Sequence, residues 1–159
     1  MLNKNSIFTK TFVNYSIISI LSILLISLLF LHILKTELLK HQKNSLIGIA
    51  TSISNFYNLE NQNYDIEKLQ KLAKNLNIRI TIIATDGAVL WDSDKSVRDM
   101  ENHKSRKEIQ EVFLGNIGTD IRFSNTMEKE LLYVAVPLIK NNKTIGAIRV
   151  SKYIVHIDN

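Results

Sequence analysis

One histidine, His103, stands among charged residues in the segment "DMENHKSRKEIQEVFLGNIG", which runs from Asp99 to Gly118. Histidine changes its charge near neutral pH, so it can act as a general base or accept a phosphoryl group. Phosphoryl transfer also needs a phosphate-binding loop, and the sequence contains no Walker-type or glycine-rich phosphate motif. It also lacks the G-x-S-x-G sequence of serine hydrolases. We therefore predict that His103 is a structural residue near the start of a helix, and that this chain carries no catalytic residue.

The sequence gives metal binding equally little support. The chain has no cysteine, and its four histidines lack the spacing of a metal site. The acidic segment Asp92–Glu101 lacks two features of a calcium loop, because Ser96 and Val97 stand where Asp or Asn and then glycine are needed. Since charge runs usually form solvated surfaces, we predict an exposed loop here, with no metal and no cofactor.

Two arginines and a tyrosine indicate a different chemistry, the recognition of an anion. Arg106 stands near the start of a predicted helix, and Arg122 and Tyr133 lie on predicted strands that follow it. The planar guanidinium group matches carboxylate and phosphate geometry. We predict that these three residues line a ligand site. The alternative stays open that Arg106 pairs with a nearby glutamate or caps the helix, and that Tyr133 belongs to the core.

The charge distribution argues against nucleic acid as a partner. The chain of 159 residues has a net charge of +5, yet residues 1–43 contain five lysines and one glutamate. Residues 60–159 contain 15 basic and 14 acidic side chains and are therefore nearly neutral. The positive surplus lies beside an apolar segment, as is typical of a membrane flank.

That apolar segment runs without a charge from Thr11 to Leu34. At about 1.5 Å per residue a helix over 11–34 would span roughly 36 Å, more than the ~30 Å hydrocarbon core of a bilayer. No small-residue cleavage site follows Leu34, so we predict an uncleaved transmembrane helix. Lysines stand on both sides of it and leave the orientation undecided.

Apolar residues at heptad-like spacing predict that the helix continues as a stalk over residues 35–58. Gln42 is the polar interruption in this stripe. One interpretation is a seam between two chains of a homodimer, and the other is packing on the chain's own sheet. The predicted seam residues are Leu39, Leu46, Ile49, Ile53 and Phe56.

The sequence pattern of residues 59–152 predicts an α+β domain. A short helix capped by Asp65 precedes two strands that meet at Asp86-Gly87, and a second helix ends at Gly115. Three strands follow, and "KNNK" joins the last two. We predict a PAS-like five-stranded antiparallel sheet with short helices on one face. Because proline cannot donate a backbone hydrogen bond, Pro137 indicates a sheet edge or a strand end.

Three stretches resemble a known family: "RITIIATDGAVLWDS" at 79–93, "MENHKSRKEI" at 100–109 and "YVAVPL" with "IGAIRVS" at 133–151. They are similar to the extracytoplasmic, PAS-like (single-Cache-type) sensor domain of phosphate-regulon-type sensor histidine kinases. The resemblance implies a cytoplasmic N-terminus at 1–10, an extracytoplasmic sensor domain at 59–152 and, at 153–159, the start of a connection to a second membrane span.

The resemblance also implies a function. The chain would be the signal-input part of a membrane-bound two-component sensor histidine kinase that acts as a homodimer. A small-molecule or protein signal would rearrange the helices and so reach cytoplasmic kinase domains, which this chain does not contain. Those ATP-dependent domains, not this chain, would contact the response regulator. The alternatives are the input domain of a chemoreceptor or of a cyclic-nucleotide signalling protein, and a stand-alone membrane-anchored binding protein.

Overall fold

The computed structural model describes residues 4–56, 66–124 and 129–154, and the predicted cap Asp65 lies outside these ranges. The described elements follow the predicted order of helix, helix, two strands, helix and three strands, with one added 3₁₀ turn at Val97–Asp99. The elements are α1 (Lys4–Phe56), α2 (Ile66–Leu76), β1 (Arg79–Ala84), β2 (Val89–Asp92), α3 (Lys107–Phe113), β3 (Gly118–Ser124), β4 (Lys129–Lys140) and β5 (Lys143–Tyr153).

The first helix, α1, is continuous over 53 residues, so the prediction of a helix that runs on into a stalk is confirmed. Contacts divide the chain into two units, residues 1–41 and residues 42–159. Large apolar side chains of the first unit are exposed along the helix, from Ile7 to Leu38. Among the described residues, α1 is the one helix that is long and apolar enough to cross a membrane, judged by length and composition.

The five strands form one antiparallel sheet in the order β2-β1-β5-β4-β3, which confirms the predicted fold class. The turn between β4 and β5 contains Asn141 and Asn142, both with positive φ, as a tight hairpin turn requires. Pro137 pairs with β5 but lies beyond Ala135, where pairing with β3 stops. The proline therefore stands where β4 has a neighbour on one side only, as predicted.

Helices cover both faces of the sheet, so the expectation that they share one face is wrong. Alternate strand residues such as Ile80, Ile82 and Ile148 pack with α2 and the last turns of α1. The opposite face packs Ile83 and Ala147 against α3. The difference arises because α3 is amphipathic and short, and its periodicity does not specify which side of the sheet it will cover.

The face that α3 covers is apolar only in part. The apolar cluster on this face consists of Ile83, Ala135, Ala147 and three residues of α3. Beyond them the same face carries Arg79, Thr81 and Arg149, at alternate positions of β1 and β5. A buried arginine or threonine must find polar partners, so this half of the sheet is where a polar site can form.

Candidate functional site

A cleft of about 400 Å³ lies over the polar half of the sheet. Its floor comes from four strands, and its other wall is the segment from Lys95 to Arg106, which connects β2 to α3. The lining residues are Arg79, Lys95, Asp99, Met100, Glu101, His103, Arg106, Arg122, Phe123, Ser124, Tyr133 and Arg149.

The three residues predicted from the sequence to bind a ligand, Arg106, Arg122 and Tyr133, all line this cleft. They come from the N-terminal end of α3 and from two adjacent strands. The Arg122 guanidinium carbon lies 3.8 Å from the centre of the Tyr133 ring, and the Arg149 guanidinium carbon lies 5.3 Å from it. Both distances fit cation–π contacts. The structure thus brings the three residues together, and ligand contact by them stays a prediction.

A fully buried carboxylate, Glu108, holds the two arginines in place. It accepts hydrogen bonds of 2.8 and 2.9 Å from the two terminal nitrogens of Arg122, and one of 3.4 Å from Arg149. Arg122 also donates a 2.7 Å hydrogen bond to Asp120. Two parallel N–H···O bonds between guanidinium and carboxylate are strong and directional. Glu108 therefore fixes both guanidinium groups against the ring of Tyr133.

The protonation states of this cluster follow from its contacts. Burial raises the pKa of the Glu108 carboxyl, but the hydrogen bonds and charge of Arg122 outweigh burial and hold this pKa below its ordinary value. Burial lowers the pKa of Arg149 to about 10, with further lowering by Arg79 and Arg122 against the opposing effect of Glu108. Both groups remain charged at neutral pH, so the cluster contains ion pairs that are sheltered from water.

A second network involves Arg79, another residue of the cleft lining. Arg79 donates from Nε to both Asp92 oxygens at 3.0 Å, and the Thr81 hydroxyl donates to Asp92 at 2.8 Å. Arg149 donates to the Thr81 hydroxyl at 3.1 Å and so joins the two networks. The prediction of a solvated acidic loop is wrong for Asp92, because this carboxylate is buried and also accepts the backbone N–H of Asp94.

Arg106 is the arginine of the cleft with the weakest partner. In the described part of the chain it pairs with Glu101 at 4.0 Å, and the Glu101 side chain is 89 % exposed. An exposed pair at this distance contributes little. Arg106 stands at the N-terminal cap position of α3 without any side-chain cap hydrogen bond. Arg106 therefore pairs with a nearby glutamate, as the alternative prediction held, but at long range and in an exposed position, and its side chain does not cap α3.

Close backbone contact between α3 and β3 sets the position of Glu108. A Cβ atom at Gly118 would overlap the carbonyl carbon and Cα of Glu108. Glycine is the residue that permits such an approach, because it has no side chain. The Glu108 carboxylate can therefore reach Arg122, which is four residues after Gly118 on the same strand.

Sequence reasoning missed Glu108, Arg149, Asp92, Thr81 and Arg79, which hold the site together. Two of these residues could have been found from the sequence pattern. Glu108 stands four residues before the buried Val112, on the apolar face of α3. Arg149 interrupts the apolar strand sequence "IGAIRVS". A charged residue inside an apolar pattern indicates a buried ion pair or a functional group.

The predicted dimer-seam residues fall into two groups. Leu46 and Ile53 are buried in the core of the domain, and Ile49 packs partly against that core. Leu39 is half-buried, and Phe56 is 75 % exposed. The structure thus places the middle of the stripe on the chain's own sheet. The dimer seam itself remains a prediction, with Phe56 as its most accessible member.

Solved structures with a similar fold include two chemoreceptor domains. The Campylobacter jejuni chemoreceptor Tlp3 ligand-binding domain, in complex with 4-methylisoleucine, superposes with a TM-score of 0.56 at 16 % identity, over 74 % of this chain and 52 % of that one. The domain of the Pseudomonas aeruginosa amino acid chemoreceptor PctC, in complex with GABA, gives a TM-score of 0.53 at 8 % identity, over 69 % and 56 %.

The sensor domain of the histidine kinase DctB of V. cholerae is also similar, with a TM-score of 0.49 at 18 % identity, over 55 % of this chain and 35 % of that one. The chain thus spans about half the length of the chemoreceptor domains and about a third of the DctB domain. At these identities the likeness concerns the fold alone.

Sequence comparison identifies the family. No curated protein matches this sequence. The sequence profile of the single Cache-like family matches residues 41–153, which include every strand of the sheet and every residue that lines the cleft. This match covers well over half of the chain and agrees with the fold. The chain therefore belongs to the single Cache-like family and carries its sensor domain.

Proposed function

We propose that this chain is the signal-input part of a membrane-bound sensor histidine kinase of the phosphate-regulon type, and that a small anionic molecule binding in the cleft is its signal. The observation that carries the ligand part of this proposal is the cleft itself, in which Arg106, Arg122 and Tyr133 converge within a single Cache-like domain. The kinase part rests on the sequence resemblance described above. The kinase domains would lie outside this chain.

The cleft favours a ligand with a negatively charged group. Arg122, Arg149 and Arg79 are each already paired with a buried or half-buried carboxylate, whereas Arg106 has, among the described residues, only a distant and exposed one. A ligand anion can therefore bind Arg106 without displacing a buried ion pair, while Tyr133 and the paired arginines shape the floor. The structures of Tlp3 and PctC hold 4-methylisoleucine and GABA, and these ligands support the proposal that the ligand of this chain is also a small molecule.

Replacement of Arg106 by glutamine tests the binding site. The full chain in lipid nanodiscs would be screened by thermal shift against small carboxylates, amino acids and inorganic anions, and hits would be measured by calorimetry. We expect Arg106→Gln to weaken binding about 10- to 150-fold, because a hydrogen bond to a charged group contributes about 1.5–3 kcal/mol.

The matched control is Lys107→Gln, which removes one exposed positive charge next to Arg106 but outside the cleft. Equal affinity losses in the two variants would mean that only the overall charge matters. If no compound in the screen shifts the melting temperature, the small-molecule proposal fails, and a protein signal becomes the remaining hypothesis.

We propose that α1 crosses the cell membrane over residues 11–34, that residues 1–10 are cytoplasmic and that the sensor domain at 59–152 is extracytoplasmic. Because the chain has no cysteine, single cysteines can report each side. In intact cells a membrane-impermeant maleimide should label Lys143→Cys, an exposed residue of the sensor domain, but not Thr9→Cys. The reverse labelling pattern would invert this topology, and both should react after lysis.

The signal would pass along α1, which would connect the two sides of the membrane. The uninterrupted α1 can transmit a displacement of the domain, and in a homodimer the two copies can change their relative position. An anion would bias this equilibrium only as far as it binds one arrangement more tightly than the other. A chemoreceptor or a cyclic-nucleotide signalling protein could use the same input device. The reading frame beyond codon 159 discriminates, because a kinase requires a histidine-bearing helix pair and an ATP-binding domain there.

A further inference from the structure

His103 is a buried residue of the cleft wall with a fixed backbone. It is 7 % exposed, its N–H donates to the carbonyl of Gly87 at 2.8 Å, and its own carbonyl accepts the N–H of Arg106 at 3.0 Å. The contact with the β1–β2 turn is tight, because a Cβ at Gly87 would overlap the backbone nitrogen of Lys104, and Gly87 has φ of +88°. The backbone of His103 is therefore held at the cleft by the hairpin turn on one side and by the start of α3 on the other.

The Nδ1 atom of His103 is buried and has no hydrogen-bond partner among the described residues. The Nε atom of Arg149, another residue of the cleft lining, shares this property. Most buried polar side-chain atoms in native proteins have a partner, so each exception needs an explanation. Two such atoms in the lining of one cleft leave hydrogen-bonding capacity for a further polar group such as a bound anion.

The charges around His103 are mostly positive. Arg149 on β5 and Arg106 at the start of α3 oppose its protonation, whereas Glu108 on α3 and the nearby backbone of Asn102 favour it. The other ionisable groups of the cleft are Arg79 on β1, Arg122 on β3, Tyr133 on β4, and Lys95, Asp99 and Glu101 on the connecting segment. Burial first, and then Arg149 and Arg106, lower the pKa of His103 to about 4. The imidazole is thus neutral at physiological pH.

We propose that binding of an anion in this cleft is coupled to protonation of His103, so that the domain binds the anion more tightly in acidic surroundings. This inference rests on the proposed function and adds a second input, the proton, to the same site. The anion would offset the positive field of Arg106 and Arg149, and a rearranged cleft would offer the Nδ1–H an oxygen acceptor. The proton would come from the solvent.

The coupling has a defined direction and size. An opposite charge within about 4–6 Å favours the charged form of a group by about 1–3 pKa units. A rise of about two units, from the value of about 4, would place the bound-state pKa near 6. Because linkage is reciprocal, the affinity for the anion would then be about fourfold higher at pH 5.5 than at pH 7.5. Glu108 does not compete as the proton acceptor, since its pKa lies below its ordinary value.

Calorimetry on the full chain in nanodiscs tests this proposal, with sulfate and formate as probes that stay unprotonated across the pH range used. Titrations at pH 5.5 in two buffers of different ionisation enthalpy count the protons taken up. We expect uptake of about 0.7 proton per anion bound and the fourfold gain in affinity, both following from the two-unit rise. In His103→Gln the proton uptake and the gain in affinity at low pH should both disappear, whatever affinity the variant keeps at pH 7.5.

His41→Gln is the matched control, since His41 is exposed on α1 and lies outside the cleft lining. It should retain the full proton uptake. Anion binding without uptake in the wild type would overturn the coupling and leave the proposed function intact. Absence of any Arg106-dependent binding of both probes would overturn the anion site and the coupling together. Circular dichroism at both pH values would confirm that each variant is folded.

Discussion

Replacing Glu108 with glutamine should lower the free energy of unfolding by about 3–5 kcal/mol, the usual cost when one member of a buried ion pair is removed. The substitution keeps the shape of the side chain but leaves the guanidinium of Arg149, which is 2 % exposed, without its anion. Arg122 would keep Asp120 and would lose its two parallel bonds to Glu108. Urea denaturation of the full chain at neutral pH measures the change.

Glu111→Gln is the control for this experiment. It makes the same chemical change three residues later on α3, at an exposed position whose side chain accepts a hydrogen bond from Asn116. We expect a loss below about 0.5 kcal/mol, as for most surface substitutions. If Glu108→Gln were equally mild, the cluster would be solvated in solution. The double variant Glu108→Leu with Arg149→Met should recover much of the lost stability, since apolar replacements of both partners can be neutral.

The pH dependence of stability gives a further check on the same cluster. The folded pKa of Glu108 is depressed, so its contribution is present above its ordinary pKa and is lost as the pH falls through the folded value. As the pH falls, His103 lowers the stability before Glu108 does. In the unfolded chain His103 gains its proton near pH 6.5, whereas in the folded domain it gains the proton only near pH 4. Stability should therefore decline from pH 6.5 downward, and His103→Gln should flatten the first part of this decline.

Replacing Leu46 with alanine should lower the free energy of unfolding by about 2–5 kcal/mol, the range for a buried leucine in a well-packed core. Leu46 is 1 % exposed and packs with Ala50, Ile53 and residues of α2 and the sheet within one chain. The loss should be independent of protein concentration, because the contact is intramolecular. The control Leu38→Ala removes the same atoms from an exposed position on α1 and should change stability by less than about 0.5 kcal/mol.

A substitution at Phe56 can distinguish an effect on folding stability from an effect on dimer formation. Phe56→Ser should leave the unfolding free energy nearly unchanged, because the side chain is 75 % exposed. If the proposed homodimer uses the end of the stalk, this variant should lower the dimer fraction in analytical ultracentrifugation, whereas the neighbouring Asn55→Ser should not. An unchanged dimer fraction with Phe56→Ser would remove Phe56 from the seam. A concentration-dependent loss with Leu46→Ala would place Leu46 at the dimer interface instead.

Much of the architecture followed from local patterns. Alternating Ile80 and Ile82, the Asp86-Gly87 turn and the Asn141-Asn142 turn are features of a few neighbouring residues, and each is found where the pattern indicated. These predictions succeed because the periodicity of a helix or strand is set by residues close in the chain.

The amino-acid sequence by itself determined the order of the elements and the long apolar helix. It also showed which arginines are available to contact a ligand. Tertiary structure alone decided which side of the sheet α3 covers, why Asp92 is buried and which arginine lacks a close partner. The bond from Arg149 to Glu108 joins residues 41 positions apart, and the bond from Arg149 to Thr81 joins residues 68 apart. These residues pair because each is buried, and a buried charge without a partner is costly. Which residues become buried depends on how the sheet and helices pack.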